Sequence, residues 1–159
     1  MMSKILRATL CAILVAALLL PIYALASGNV KILNVTVDGA RVRNEDHEII
    51  TSLKSGTKVF YLGKKIGSNS LVRISNGLEG YVYDGFLESY GAVKEDTIYY
   101  CSESSAKVYR YPSSDAKRLG SLSENQFVVV LRTRGDWAYI KNLNGKGGFC
   151  KLDSLTAAD

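Results

Sequence analysis

The apolar positions of this 159-residue chain form one long run followed by many short ones. Residues 8–20 are an almost unbroken apolar stretch, preceded by Lys4 and Arg7 and ended by Pro21. After Ser27, short runs rich in Val, Ile, Tyr and Leu alternate with turn residues, and helical periodicity is almost absent. This pattern predicts an N-terminal helix followed by an all-β chain.

The N-terminal stretch has the order of features that is typical of a secretory signal. Positive charge comes first, a short apolar run follows, and Ala24-Leu25-Ala26 supplies the small residues that a signal peptidase accepts. The alternative is an uncleaved anchor helix, although the apolar core is short for a membrane span. We therefore predict a signal peptide at residues 1–26, a secreted or envelope-associated protein, and membrane contact only through this segment if it is uncleaved.

The rest of the chain contains an internal repeat. Ala40-Arg41-Val42 recurs as Ala106-Lys107-Val108, and Asn76-Gly77 recurs as Asn144-Gly145. The order of matching positions is kept, and their spacing changes only by small insertions, which predicts two copies of one fold. We place the first copy at residues 27–90 and the second at 91–159, with a short connection at residues 90–95.

Turn residues divide each copy into strands. The Asn-Gly pairs lie between extended runs and are the preferred sequence of a type I′ hairpin. Gly56 and Asn125 fall in a second shared turn, and both residue types tolerate a positive φ. The predicted strands are residues 32–37, 49–53, 57–62, 71–74 and 79–83 in the first copy, and residues 126–132, 137–142 and 147–151 in the second.

Charge and cysteine content narrow the class of protein. Loss of residues 1–26 would lower the net charge from +5 to +3, because Lys4 and Arg7 are removed with no acidic residue. A mildly basic chain without a clustered basic stripe does not predict a nucleic-acid partner. Cys101 and Cys150 form an even pair in an exported chain, which predicts one disulfide; the alternative is two buried free thiols.

The inventory of reactive residues does not predict an enzyme. His47 is the only histidine, and it lies in an acidic loop with Glu45, Asp46 and Glu48, far in sequence from both cysteines. A cysteine nucleophile needs a nearby histidine, and a zinc site needs three or four ligands. No glycine-rich phosphate loop or serine nucleophile motif is present in the sequence. We therefore expect no catalysis, no metal and no cofactor.

Several motifs taken together resemble one family. The motifs are residues 52–59, 76–82 with Phe86-Leu87, 108–114, 135–140 and 148–150. In this order they resemble the bacterial SH3 domain family over residues 30–88 and 97–156. The resemblance implies two small SH3-like β-barrels in tandem behind the signal helix.

The resemblance also has consequences for particular residues. It sets Cys101 opposite Val35 and Cys150 opposite Val82, on a first and a last long strand that would run side by side and allow the disulfide. The first copy departs from the family pattern, because its loop at residues 44–48 lacks Gly and Pro and because Leu71 stands at the position of Trp137. The second copy is therefore the better candidate for binding.

Aromatic residues are the remaining candidates for function, because they offer contact area at low entropic cost. Tyr61, Tyr81 and Phe149 are expected in the core. The residues expected to line a ligand groove are Tyr109, Tyr111, Trp137, Tyr139 and Tyr83. The resemblance implies a non-catalytic module that recognises peptidoglycan or cell-wall peptides. The alternative is a structural or interaction protein that binds another exported protein.

Overall fold

The computed structural model describes residues 28–158. The predicted signal peptide and its cleavage site lie outside the described residues. Among the residues described, no helix is long and apolar enough to cross a membrane. The described chain is built of strands and three single-turn 3-10 helices, so the predicted all-β class is confirmed.

The strands form two antiparallel sheets of seven strands each. The first sheet contains β1 (Asn29–Val35), β2 (Ala40–Arg43), β3 (Ile49–Leu53), β4 (Lys58–Ile66), β5 (Asn69–Arg73), β6 (Glu79–Tyr83) and β7 (Leu87–Lys94). The second sheet contains β8 (Ile98–Cys101), β9 (Ser105–Tyr109), β10 (Arg118–Ser123), β11 (Phe127–Arg134), β12 (Trp137–Lys141), β13 (Gly147–Lys151) and β14 (Leu155–Ala157).

Both sheets have the same topology. The strand order is β3-β2-β6-β5-β4-β1-β7 in the first sheet and β10-β9-β13-β12-β11-β8-β14 in the second. Each order is the other shifted by seven strands, as a duplicated unit requires. The end strands β3 and β7, and likewise β10 and β14, are not paired with each other, so closed barrels and the exact domain limits stay predictions.

Each sheet encloses its own apolar core. Alternate residues of a strand point to opposite faces, and every second residue is buried in β5, β12 and β13. Val35 and Val82 are fully buried in the first core, and Cys101 and Cys150 are fully buried in the second. The expected correspondence of these two pairs is therefore confirmed.

The predicted disulfide between Cys101 and Cys150 is wrong, because both residues are free thiols in the structure. The prediction placed the first and last long strands side by side. In the sheet, β12 and β11 lie between β13, which carries Cys150, and β8, which carries Cys101, so the two thiols share only the apolar core and are not bonded to each other. The Cys101 thiol instead donates to the carbonyl oxygen of Glu103 at 3.3 Å.

The Asn-Gly hairpins were predicted at the right places but with the wrong turn type. A type I′ turn needs positive φ at both central residues. Only the glycines have it, with φ of 87° at Gly77 and 82° at Gly145. The amides of Gly77 and Gly145 donate to the carbonyls of Ile74 and Asn142, which makes each loop one residue longer than a two-residue turn. The predicted positive φ at Gly56 and Asn125 is confirmed, at 83° and 59°.

The two sheets share a third apolar cluster. Ile32 and Phe60 of the first sheet pack with Ile98, Phe127 and Val129 of the second. The expected connection at residues 90–95 differs from the structure, because β7 continues to Lys94 and pairs with β1 along its length. The link between the sheets is therefore the single 3-10 turn Glu95–Thr97, reinforced by this shared cluster.

Candidate functional site

The outer face of the second sheet carries most of the predicted ligand residues. On β12, Ala138 and Ile140 point into the core, so Trp137 and Tyr139 point outward. Tyr139 pairs across the strands with Phe149 of β13, and Phe149 pairs with Tyr109 of β9. Phe149 was predicted to be core; it is half-buried on this outer face instead. The register of three strands thus assembles one aromatic surface.

A groove of about 580 Å³ lies on this surface. The loop after β9 supplies one wall, and the far end of β11 supplies the other. Its lining residues, which we call the arginine groove, are Arg110, Tyr111, Pro112, Leu131, Arg132, Arg134, Tyr139 and Phe149. Tyr111 and Leu131 keep 59% and 53% of their surfaces exposed, so large apolar groups face the opening.

Two of the arginines lie against aromatic rings. The guanidinium of Arg132 lies 5.0 Å from the ring centre of Tyr139 and 5.9 Å from that of Phe149. The Tyr139 and Phe149 rings are themselves 5.1 Å apart. Arg110 lies 5.6 Å from the ring centre of Tyr111. Such stacking holds a guanidinium in a fixed plane while its N–H groups remain able to donate to a ligand.

A second aromatic group adjoins the groove. Tyr109 packs edge-on against Trp137 with ring centres 5.7 Å apart. The ammonium of Lys151 lies 4.7 Å from the Trp137 ring centre. Trp137 also pairs across the strands with Arg134, which lines the groove. The aromatic and cationic surface therefore extends from Tyr111 to Trp137.

Charge is distributed differently in the two halves of the chain. Residues 29–97 carry nine basic and nine acidic residues, whereas residues 98–159 carry nine basic and six acidic ones. Across the part of the chain that the structure describes, all three ion pairs belong to the first sheet. Asp115 and Asp136 lie in loops beside the arginine groove, but neither lines it. The groove therefore concentrates positive charge without an internal counter-ion.

The matching place in the first sheet is filled by a carboxylate. Arg43 pairs with Tyr81 as Tyr109 pairs with Phe149, so Glu45 stands where the second sheet has Tyr111. A carboxylate oxygen of Glu45 lies 3.0 Å from the Lys64 ammonium and accepts a hydrogen bond of 3.4 Å from the Tyr81 hydroxyl. The hydrogen bond from Lys64 lowers the pKa of Glu45 and raises that of Lys64.

The structure brings four of the five predicted ligand residues together. Tyr109, Tyr111, Trp137 and Tyr139 share the outer face of the second sheet. Tyr83 does not join them, because it lies at the end of β6 in the first sheet and packs on Phe86 with ring centres 5.2 Å apart. Their role in binding stays a prediction.

The sequence reasoning missed the arginines and misplaced one equivalence. Arg132 pairs with Tyr139 across the strands, a contact that depends on a register not visible in the sequence. Leu71 was matched to Trp137, but Leu71 pairs with Tyr81 as Tyr139 pairs with Phe149. Asn69 therefore occupies the Trp137 position, and Leu71 occupies that of Tyr139. The signal that was overlooked is the repeated basic residue in Arg132-Thr133-Arg134, which follows the buried residues 127–130 of the same strand.

The second sheet has a further cavity, of about 480 Å³, beside its edge strand β10. Val108, Leu119, Leu122 and Ile140 provide its apolar walls. Gly148 lies at its base, where a Cβ would come within 2.5 Å of Val108. This cavity has a single cation in its lining, Lys146, and no aromatic residue, unlike the arginine groove. In the described residues, no group of three or more His, Cys, Asp or Glu side chains could hold a metal ion.

Comparison with known proteins finds a family match within the second sheet. A family model, described as the bacterial SH3 domain, matches residues 104–156. This match contains the strands β9 to β13 and with them every lining residue of the arginine groove. The first sheet has the same topology but no such match, so a tandem pair of this family stays a prediction. No curated protein matches the chain.

Two solved structures from Trichomonas vaginalis resemble the chain weakly. They are the structures of NlpC2, with a TM-score of 0.35, and NlpC1, with a TM-score of 0.34, each 18% identical in sequence. The match covers 81% of this chain and 48% and 46% of theirs, so the chain spans about half of their length. TM-scores this low establish neither a common fold nor a common activity.

Proposed function

We propose that the protein is an exported, non-catalytic binding module that recognises peptidoglycan or cell-wall peptides through the arginine groove of its second sheet. The observation that carries the proposal is the groove itself. It combines exposed aromatic rings with guanidinium groups that lack an internal counter-ion, and it lies in the segment that matches the bacterial SH3 domain. A concave surface with an apolar floor and a few charged groups is suited to peptide recognition.

Retention on purified cell-wall sacculi tests this function. The exported protein should sediment with sacculi at low and moderate salt, and Tyr111→Ala or Trp137→Ala should each reduce the retained fraction severalfold with unchanged circular dichroism. Tyr90→Ala is the matched control, because Tyr90 is an exposed tyrosine of the first sheet, far in sequence from the groove. Absence of retention at both salt concentrations would reject a wall ligand and favour an exported protein as the partner.

The same preparation tests the proposed absence of catalysis. Incubation of sacculi with the purified protein should leave their turbidity and their soluble products unchanged. Release of soluble fragments that increases with protein concentration would show a hydrolase and contradict this part of the proposal.

A further inference from the structure

We propose that the arginine groove binds a peptide through a free carboxylate, in the place where the first sheet uses its own Glu45. This inference deepens the proposed function by naming the chemical group that is recognised. It rests on a comparison of equivalent positions in the two sheets. Lys64 of the first sheet is paired with Glu45, whereas Arg132 of the second sheet has no carboxylate partner among the residues that line the groove.

The first step is the equivalence of the two cations. Lys64 of β4 lies 5.9 Å from the ring centre of Tyr81, and Arg132 of β11 lies 5.9 Å from that of Phe149. Tyr81 and Phe149 are equivalent, because Tyr81 pairs with Arg43 at the end of β2 and Phe149 pairs with Tyr109 at the end of β9. Each sheet therefore places one cation over the same aromatic position.

The second step is the loop that follows. In the first sheet the loop is short and closed by its own hydrogen bonds, with the Asn44 amide donating to the Glu48 carbonyl and the Arg43 guanidinium donating to the His47 carbonyl. This brings Glu45 onto Lys64 and Tyr81. The loop of the second sheet is longer, with Arg110 and Lys117 paired at its base, and it has Tyr111 where Glu45 stands. The carboxylate is therefore missing from the second place.

The third step is what would replace it. Three guanidinium groups line the groove, and no carboxylate does. Arginine binds carboxylates through two parallel hydrogen bonds, and stacking on Tyr139 fixes the plane in which Arg132 would present its donors. The exposed ring of Tyr111 and the half-buried ring of Tyr139 would then contact the adjoining part of the peptide. Glu45 thus supplies, within the first sheet, the carboxylate that the arginine groove would take from a peptide.

Peptide titrations test the inference directly. The probes are Ac-Ala-Glu-Ala-Glu with a free C-terminus and the neutral peptide Ac-Ala-Gln-Ala-Gln-amide, titrated into the full-length mature chain and followed by nuclear magnetic resonance. The acidic peptide should shift the signals of Tyr111, Arg132 and Tyr139 and bind at least about tenfold more tightly, since a hydrogen bond to a charged group contributes about 1.5–3 kcal/mol. Equal affinity, or no shift with the acidic peptide, would overturn the inference.

Two pairs of variants make the test specific for the site. Arg132→Gln should weaken binding of the acidic peptide about tenfold, whereas Lys64→Gln, its counterpart in the first sheet, should leave the affinity unchanged. Tyr111→Glu restores the internal carboxylate and should abolish binding, whereas Tyr111→Gln, of the same size but neutral, should retain more of it. Equal effects within either pair would contradict a carboxylate site. Circular dichroism and thermal unfolding verify that each variant is folded.

Sacculi separate this inference from the proposed function and from another anionic ligand. Sacculi stripped of phosphodiester polymers by hydrofluoric acid should retain the protein, and sacculi whose carboxylates are amidated should not. Retention that survives amidation would overturn the carboxylate inference and leave the wall-binding function standing. Loss of retention on stripping alone would show a phosphate ligand and also overturn it. No retention on any sacculi, with selective binding of the acidic peptide, would reject the wall and support the carboxylate.

Discussion

The two sheets have the same topology but distribute charge differently. The first sheet balances its charges and pairs Glu45 with Lys64, Asp84 with Lys65 and Glu79 with Arg73. The second sheet carries the excess positive charge, and two of its arginines, Arg110 and Arg132, lie against aromatic rings. The comparison teaches that duplication preserved the buried positions, where packing constrains residue size. The outer face and its loop diverged: the first sheet pairs its cation with its own carboxylate, and the second leaves the arginine groove unpaired.

Shared packing limits how independent the two sheets are. Phe127 of the second sheet lies 6.3 Å from the ring centre of Phe60 and 5.6 Å from that of Tyr100. Its amide donates to the Ser75 carbonyl of the first sheet at 2.8 Å, and the guanidinium of Arg73 lies 4.8 Å from its ring centre. Phe127 thus contacts both sheets, so its truncation is expected to weaken the coupling between them more than the other substitutions do.

The largest expected effect is therefore that of Phe127→Ala. Loss of a buried phenylalanine should lower the free energy of unfolding by about 3–5 kcal/mol. The parent protein should unfold in one cooperative transition by urea denaturation, and the variant should show two. Leu131→Ala is the control, because Leu131 is 53% exposed and its truncation should change stability by at most about 0.5 kcal/mol. A loss below about 1 kcal/mol for Phe127→Ala would show that the shared cluster does not couple the sheets.

Phe127 also illustrates how far the sequence predicts this fold. The apolar run at residues 126–132 predicts the strand that contains Phe127, and the turn residues predict three strands with correct bounds, Ile49–Leu53, Glu79–Tyr83 and Gly147–Lys151. The sequence does not predict that Phe127 packs against the other sheet. That contact depends on the relative placement of two units, which no local pattern encodes.

The errors have the same physical origin. Residues 90–95, which contain Gly91, were expected to connect the two copies and not to belong to a strand. Seven paired positions with β1 instead continue β7 to Lys94, because cross-strand pairing overrides local preference. The strands that carry Cys101 and Cys150 are not neighbours in the sheet, and although both thiols pack in one apolar core they are not bonded to each other. The candidate site was predicted as far as its aromatic residues, but the arginines were missed because only the register of β11 with β12 brings Arg132 to Tyr139.

The buried thiols give the next largest effect and sharpen the comparison of the two cores. Burial raises the pKa of Cys150 from 9.0 to about 11. A thiol that is held neutral on folding stabilises the native state below its unfolded pKa, and this contribution is lost as the pH rises from about 9 through 11. The free energy of unfolding should therefore fall by about 2–3 kcal/mol over this interval because of Cys150.

Cys150→Val isolates this effect, because valine is the residue of the first core at the same position, Val82. The variant should keep its stability near neutral pH within about 1.5 kcal/mol and lose less of it between pH 9 and 11 than the parent. Urea denaturation at several pH values measures both. Alkylation after unfolding without a reductant, followed by mass spectrometry, should modify both Cys101 and Cys150. An unmodified pair would show a disulfide and explain an absent pH effect.

The smallest expected effect on stability is that of the ion pair between Glu45 and Lys64 in the first sheet. The hydrogen bond and charge of Lys64 hold the pKa of Glu45 below its ordinary value of 4.5. A lowered carboxyl pKa stabilises the native state above the unfolded pKa, and the contribution is lost as the pH falls through the native one. Both side chains are largely exposed, so solvent screening keeps the change in stability small.

The effect is measurable as a titration even where the change in stability is not. Carbon-detected nuclear magnetic resonance of the Glu45 carboxyl should give a pKa below 4.5 in the parent and one closer to the ordinary value in Lys64→Gln. Lys65→Gln is the matched control, because Lys65 pairs with Asp84 and should leave the Glu45 titration unchanged. An ordinary pKa for Glu45 in the parent would mean that its carboxylate is not paired with Lys64. The contrast between a paired cation in the first sheet and unpaired arginines in the second sheet would then lose its support.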